Sequence, residues 1–299
     1  MSINYEYYKI FYYAAKYKNI TRAAAALGSS QPNITRIIKL LEAELGSRLF
    51  VREARGITLT ESGERLFAHI KTAVIQLEHT QEEMSLQNTD GMGMVEIGAT
   101  ETALHLFLLE ALRSFREEYP RVRIKIHNHT TPEILKNLAS GRLDFAVLTT
   151  PFELQGAFAS SSLVSFREIL AAGSQYRELG NKKHRLKELG SYPWVGLGEG
   201  TATYEFYKQF FAKQQADLRL DVEAATSDLL IPLMQDNFGI GFVPEKLALP
   251  LLQTQALVQI PLDGSLPERK ICLVCDKGRG RSVVSRKLQD YLFIRQRFI

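Results

Sequence analysis

Cys272 and Cys275 are the only cysteines in 299 residues, too few for a disulfide framework to replace a hydrophobic core. They stand in a Cys-x-x-Cys spacing inside an apolar run that reads as a strand, Ile271 to Cys275. Side chains alternate along a strand, so a separation of three sends the two thiols to opposite faces. A redox pair or half of a zinc site is therefore disfavoured, and two buried thiols in a reducing compartment are expected. No stretch of eighteen apolar residues occurs and no apolar segment follows a basic start, so neither a membrane span nor a signal peptide is expected and the protein is placed in the cytoplasm. Phosphate loop, dinucleotide fingerprint, Gly-x-Ser-x-Gly elbow and His-Glu-x-x-His segment are all missing, so no catalytic residue and no cofactor are expected. His127 and His129 share a face if their strand reaches that far, but they have no nearby third ligand, and no metal is expected.

Charge is distributed unevenly. Residues 1 to 60 hold nine Lys or Arg against four Glu, an excess of +5, while the whole chain holds 37 against 33, or +4. Everything after residue 60 thus sums to −1. A basic excess confined to one end is what phosphate neutralisation requires.

That end also carries the most informative run of the chain, Asn19 to Leu41. Thr21 is a good N-cap, and the four alanines after Arg22 combine high helix propensity with little bulk, so a second helix can approach closely. Gly28 stands where the first helix must stop, since glycine adopts a left-handed backbone at almost no cost. Ser30 and Gln31 precede Pro32, which suits a first helical turn because its missing N–H costs no hydrogen bond there. In the new helix Ile34, Ile37, Ile38, Leu41 and Leu45 fall on one stripe that faces a core. Pro32, Thr35, Arg36 and Lys39 project from the opposite side, with Ser30, Gln31 and Asn33 near the N-terminus. Arg, Gln and Asn can pair with base edges in a major groove, and Lys and Thr can hold phosphates. The pattern is a helix-turn-helix.

At these residues the chain resembles the LysR-type transcriptional regulators. Leu41-Glu42-Ala43-Glu44-Leu45-Gly46-Ser47-Arg48-Leu49-Phe50, then Arg52, Arg55-Gly56 and Leu59-Thr60-Glu61-Ser62-Gly63, stand in that family's order and spacing. The resemblance is sharp over about the first 65 residues and diffuse beyond. It implies a winged helix-turn-helix domain at 1–59, a linker helix at 60–88 that pairs two subunits, a hinge at 89–93, and a two-lobed α/β effector-binding domain at 94–299. That domain is similar to periplasmic binding proteins, with lobe I at about 94–165 and 266–299 and lobe II at about 166–265. The DNA contacts implied are Thr21, Ser30, Gln31, Pro32, Asn33, Thr35, Arg36 and Lys39 on the helices. Arg52 and Arg55 are expected on an exposed wing loop between two short strands.

From Thr60, a plausible N-cap, no Pro or other breaker interrupts the chain until about Gln87, roughly 40 Å of helix. Ile70, Leu77 and Met84 recur every seven residues, with Phe67 and Val74 filling the alternate positions. A narrow apolar seam of this kind argues for pairing with another helix; the alternative is packing against the chain's own domain. Asn88 to Gly93 reads as a hinge rich in turn formers.

From Met94 onward strands and helices alternate. The expected strands are 95–99, 122–127, 143–148, 193–197, 218–224, 240–243 and 271–275. The expected helices are 104–118, 132–139, 203–214, 227–236 with a kink at Pro232, and 282–297. This is the grammar of a mainly parallel sheet covered by helices. In such sheets a ligand binds beyond the carboxyl ends of the strands, where helix N-termini present free N–H groups. Thr100, Thr102, Thr149, Thr150, Thr201, Thr203, Thr226 and Ser227 all sit at strand-to-helix junctions. By resemblance Thr100, Thr102, Thr149, Thr201 and Thr226 are the expected contacts to an effector, a small polar or anionic metabolite. Further partners implied are double-stranded DNA bearing an interrupted inverted repeat, a second copy or three further copies of the chain, and RNA polymerase. Two other readings stay open: an enzyme on the α/β part, and a regulator that senses redox state through its cysteines.

Overall fold

A computed structural model describes residues 4–53, 56–86, 93–278 and 282–296. It comprises two units, Met1–Ser85 and Leu86–Ile299.

The first unit contains α1 (Tyr5–Tyr17), α2 (Ile20–Ala26), α3 (Gln31–Leu45), β1 (Phe50–Glu53), β2 (Gly56–Leu59) and α4 (Glu61–Leu86). Asn19, and not Thr21, caps α2. Its extended backbone aims the side-chain oxygen at the amide of Arg22 at 3.0 Å, so the helix already begins at Ile20 and Thr21 is an exposed residue inside it. Gly28 closes the helix at φ +59°. Ser30 caps α3 by accepting from the Asn33 amide, and Pro32 lies in the first turn. Ile34, Ile37 and Ile38 bury against Ile10, Ala14, Ala23, Ala24 and Ile57, while Leu41 joins Phe11 and Leu49. Leu45, expected on the same stripe, is 37% exposed, because α3 stops there at the left-handed Gly46 and its last residue overhangs the core.

β1 and β2 form an antiparallel pair that places Arg52 opposite Ile57. Arg52 is thus a strand residue and not a loop residue; its side chain, and Arg55 altogether, lie outside the described residues. The Glu42 carboxylate accepts from the amides of Leu49 and Phe50, which ties the wing to α3. Thr60 caps α4 by accepting from the Gly63 amide at 3.0 Å while donating to the Arg48 carbonyl at 2.7 Å. Only glycine fits at 63, since a Cβ would lie 2.2 Å from the Leu49 carbonyl oxygen. The seam of α4 is not a uniformly open stripe. Phe67 stacks on Tyr12 of α1 at 5.8 Å, Ile70 is half-buried, Val74 is buried and Leu77 is 44% exposed. The Met84 side chain and residues 87–92, which include all of the expected hinge except Gly93, lie outside the described residues.

The second unit runs β3 (Gly93–Ala99), α5 (Glu101–Ala103), α6 (Leu109–Glu118), β4 (Val122–Asn128), α7 (Thr131–Ala139), β5 (Phe145–Thr149), β6 (Phe158–Phe166), β7 (Glu168–Ala172), β8 (Val195–Leu197), α8 (Ala202–Lys213), β9 (Val222–Ala224), α9 (Leu230–Gln235), β10 (Ile240–Pro244), α10 (Glu245–Gln253), β11 (Val258–Gln259), β12 (Arg269–Asp276) and α11 (Val283–Arg295). A π-helical turn, Leu104–Leu108, joins α5 to α6, so the helix expected from Leu104 starts three residues earlier.

One five-stranded sheet has the order β4-β3-β5-β12-β6, with β3 parallel to β4 and β5, and β12 antiparallel to β5 and β6. The other lobe repeats this plan. β8 is parallel to β9 and bridges in parallel to β10 through Trp194 and Ile240, while β7 lies antiparallel between β10 and β11. The sheets are therefore mixed and not mainly parallel. The chain leaves one lobe along β6, enters the other along β7 and returns along β12; β12 runs against β5 and β7 against β10 and β11, whereas β6, antiparallel to β12, runs in the sense of β5. β6, β7 and α10 lie where no element is expected from sequence. The serine-rich 158–166 stretch shows only partial alternation, and β7 is buried throughout. The kink expected at Pro232 is absent. A short 3₁₀ turn, Ser227–Leu229, precedes α9, so Pro232 falls in the first turn of the α-helix proper, where no N–H is needed. The strand expected over 218–224 shrinks to 222–224.

Two outcomes are expected. Asn19→Ala should cost about 1 kcal/mol in denaturant unfolding, whereas Thr21→Ala should change stability by no more than about 0.5 kcal/mol; equal effects would contradict the cap assignment. On the sheet surface Glu96 pairs with Lys125 at 2.7 Å and His127 at 3.0 Å. Burial alone would raise its carboxyl pKa, but Lys125 and then His127 outweigh it and hold the group below its ordinary value. Stability from this cluster is present above the unfolded carboxyl pKa and is lost as pH falls through the folded one. Glu96→Gln should thus lower the unfolding midpoint at neutral pH and match the parent chain in strong acid.

Candidate functional site

Two surfaces carry the chemistry, one in each unit. On α3 the apolar stripe is buried, which leaves Gln31, Pro32, Arg36 and Lys39 exposed and Asn33 and Thr35 half-buried on the other side. Ser30 at the cap and Thr21 on α2 are exposed as well. Arg36 Nη2 donates to Asn33 Oδ1 at 3.1 Å, and Asn33 Nδ2 donates to Ser29 Oγ at 3.0 Å. These bonds hold the guanidinium against the first turn of α3. Base or phosphate contacts by Asn33 must exchange them, at little cost because both ends are water-accessible. Ser30 Oγ accepts from the Asn33 amide and keeps its own proton for an outside acceptor.

In the second unit the five threonines selected from sequence, Thr100, Thr102, Thr149, Thr201 and Thr226, all line one cavity of about 280 Å³ between the two lobes. Thr100, Thr130 and Thr201 are the N-caps of α5, α7 and α8, and Thr226 precedes the 3₁₀ turn before α9. Helix starts therefore converge on the cavity from both sides, each a source of free amides and partial positive charge. Their hydroxyls are not equivalent. Thr201 Oγ1 accepts from the Tyr204 amide and donates to the Gly198 carbonyl, so it is fully occupied as a cap. Thr102 and Ser227 face each other across the lobes at 3.4 Å, and Thr100 and Thr149 lie 3.5 Å apart. Two carboxylates also line the cavity, and both are engaged. Glu101 accepts from Asn128 Nδ2 and pairs with His105; Glu133 accepts from the amide and hydroxyl of Thr130. A neighbouring recess of about 700 Å³ shares Thr131, Thr201 and Ala202 and is more apolar, with Leu135, Phe152 and Phe158 in its wall.

Sequence reading missed the groups beneath this cavity. Arg269 begins β12 with a side chain 2% exposed and forms an ion pair with Glu168, itself 5% exposed, at 3.1 Å. Its Nε donates to the Thr150 carbonyl at 2.6 Å, and its Nη2 reaches Thr203 Oγ1 at 3.1 Å and Thr149 Oγ1 at 3.5 Å. The guanidinium lies 5.6 Å from the ring centre of Phe166 and 5.0 Å from that of Phe206. Tyr207 is buried next to the pair; burial first, and then the Glu168 charge, push its hydroxyl pKa well above the ordinary value. Removing either member of a buried ion pair strands the other, at a cost of about 3–5 kcal/mol. In sequence Arg269 stands in the charged run Glu268-Arg269-Lys270 and reads as a solvated strand entry. The apolar residues that follow it were the available signal.

Cys272 and Cys275 are both buried in β12. Cys275 packs in the core beside Ile271 and Leu273, whereas Val274, on the Cys272 face, belongs to the core under α7. Burial raises the Cys272 thiol pKa, the reverse of what a reactive thiolate needs. His127 is engaged by Glu96, and among the described residues no three His, Cys, Asp or Glu side chains are grouped to hold a metal ion. Among the same residues no helix is long and apolar enough to cross a membrane.

Comparisons with known proteins agree on one family. Residues 6–64 match the profile of the bacterial regulatory helix-turn-helix protein, lysR family, and residues 89–295 match the LysR substrate binding domain. The HTH-type transcriptional activator IlvY of Salmonella typhimurium is 32% identical over 238 residues, 79% of this chain and 81% of that protein. A hydrogen peroxide-inducible genes activator of Haemophilus influenzae is 25% identical over 264 residues, 88% of this chain and 87% of its own length. Among solved structures, full-length CbnR complexed with its target DNA superposes with a TM-score of 0.70 at 18% identity, covering 98% of this chain and 100% of that one. These are regulators and not enzymes, so the reading of the α/β unit as an enzyme falls away. With a buried stripe under an exposed polar helix face at one end, two lobes around a threonine-lined cavity at the other, and family profiles matched across both, this chain belongs to the LysR family of transcriptional regulators.

Proposed function

We propose that the protein reads an interrupted inverted repeat in double-stranded DNA as a homodimer or homotetramer, and that a small polar or anionic metabolite bound between its lobes changes how it sits on that repeat. The observation that carries the DNA reading is the two-faced α3. Four buried aliphatic residues fix the helix, so the exposed Gln31, Arg36 and Lys39 keep one orientation relative to the groove. Arg36 is the base-reading residue and Lys39 a phosphate contact, supported by Ser30, Asn33, Thr35 and Thr21. Arg52 and Arg55 of the wing approach the minor groove or the backbone. Pairing runs through α4, where, among the described side chains of the seam, Leu77 is exposed and Ile70 and Phe67 are half-buried. RNA polymerase is the downstream partner, and the cytoplasm is the compartment in which all of these meet.

Metabolite sensing is favoured over thiol sensing, although the names of two relatives refer to hydrogen peroxide. Three residues of strand separate the Cα atoms of Cys272 and Cys275 by roughly 10 Å, beyond the ~7 Å limit for a disulfide. Both thiols are also buried.

Capture of genomic fragments by the purified protein at near-physiological salt should enrich one inverted repeat, and enrichment of no sequence would overturn the proposal. On that repeat Arg36→Ala should weaken binding by about 1–3 kcal/mol and relax preference at one position in each half-site. Lys39→Ala should weaken all sequences alike and lower the salt slope by about 1. Peroxide should leave the DNA affinity of the parent chain unchanged, and replacing both cysteines with serine should not alter that affinity; a peroxide response in the parent chain that the double variant loses would reinstate the thiol reading.

A further inference from the structure

The lining of the effector cavity holds no lysine or arginine among the described residues, yet one guanidinium lies directly behind it. Arginine has donors only. A hydroxyl that bonds it must accept, and so keeps its own proton for another partner. Thr203 Oγ1, on the cavity wall, accepts from Arg269 at 3.1 Å. Thr149 Oγ1 accepts from the same nitrogen at 3.5 Å and lies 3.5 Å from Thr100 Oγ1. That threonine pair has two protons, and one suffices for the bond between them, so the second is available to the cavity.

We propose that Arg269, held by Glu168, is a positioning residue that turns the hydroxyls of Thr203, Thr149 and Thr100 into donors and thereby makes the cleft select a small monocarboxylate over its isosteric amide. The inference rests on the cleft being the effector site and adds the chemical class of the effector. A carboxylate only accepts hydrogen bonds, so every donor supplied by these hydroxyls and by the helix-start amides finds a partner on it. An amide offers N–H groups to donors, leaving both sides unpaired. Single charge follows from the rest of the wall: Glu101 and Glu133 line the same cavity, His129 on that wall lies 4.0 Å from Glu133, and Arg269 is neutralised by Glu168, so recognition comes from oriented donors and a second negative charge meets repulsion. Small size follows from the volume of about 280 Å³, just below the ~300–1,000 Å³ usual for ligand pockets. The crossing position of the pair gives it a second consequence. Arg269 joins Thr149 and Thr150 at the end of β5 to Glu168 at the start of β7 and Thr203 on α8, so a ligand held by these hydroxyls is bonded to groups in both lobes through one side chain.

The test uses the purified full-length protein and matched pairs: acetate and acetamide, glycolate and glycolamide, benzoate and benzamide, with succinate as a dianion. Thermal shift screens the panel, and calorimetric titration measures the members that bind. At least one monocarboxylate should bind and exceed its amide by at least about tenfold, with succinate weaker. Arg269→Gln should bring the carboxylate-to-amide ratio close to one. Glu168→Gln, which keeps the guanidinium, should preserve or raise it. Because Arg269→Gln strands Glu168, the double variant Glu168→Gln/Arg269→Gln serves as a charge-neutral check with the same expected loss. Thr203→Val, which leaves the ion pair whole, should lower the ratio several-fold. A merely structural role would weaken acid and amide equally and leave the ratio where it was. A ratio near one in the parent chain, or one retained in both Arg269 variants, overturns the proposal while leaving the cleft as the site. If no member of the panel binds the parent chain, the cleft reading itself falls.

Discussion

The ion pair between Arg269 and Glu168 stands where the chain passes between its two lobes. Glu168 opens β7, the strand by which the chain enters the second sheet, and Arg269 opens β12, the strand that returns to the first. Two strands crossing at one place form a natural pivot, and an ion pair at 2% and 5% exposure is an expensive object to put there unless its bonds are complete. They are: one guanidinium meets a carboxylate, a carbonyl and two hydroxyls, between two aromatic rings. The same side chain orients threonines that belong to β5 and α8, so the wall of the cleft and the joint between the lobes are one bonded structure.

The DNA-binding unit works on a different physical basis. Its precision comes from packing, with polar groups left to water. Ala23 and Ala24 are small enough for α2 to lie against α3, and Ile34, Ile37 and Ile38 fill the space between them and α1. The polar face of α3 is then fixed by what lies beneath it. Glu42 and Thr60 extend the same rigidity outward, one holding the start of the wing and the other locking the wing to the first turn of the long helix. A regulator needs both kinds of construction: a reading head that does not change shape, and a sensor whose lobes share a joint on which a ligand can act.

Much of this was legible in the chain itself, and for a definable reason. The helix-turn-helix is local: caps, turn glycine, aliphatic stripe and polar face lie within 23 consecutive residues, and each acts on neighbours a few positions away. Even there the cap was misplaced by two residues, because Asn19 and Thr21 both have capping chemistry and only the extended backbone at Asn19 decides between them. The cavity threonines were legible because strand-to-helix junctions in α/β units recur on one side of the sheet, so residues far apart in sequence were expected in one place. They line one cavity. Their differing hydrogen-bond states were not legible, since Thr201 is occupied by its own helix while Thr203 is oriented from 66 positions away.

What sequence could not carry are the relations between distant segments. A serine-rich stretch became β6 because β12 lay beside it to pair with, and the sheets became mixed because the chain enters and leaves each lobe along the same joint. Part of the long helix's seam was covered by Tyr12 of α1, a contact no heptad count contains. Arg269 looked like a surface charge because its neighbours in the chain are charged; its neighbours in space are a carboxylate, two threonines and two rings. Caps and periodicity therefore determined the helix-turn-helix and the exposed polar face of α3, and the recurring topology of α/β units determined the place of the cleft, since each rests on interactions spanning a few residues or on a repeated connection. The chemistry of the cleft was decided by the folded structure alone, because a buried charge takes its meaning from partners 101 and 120 positions away.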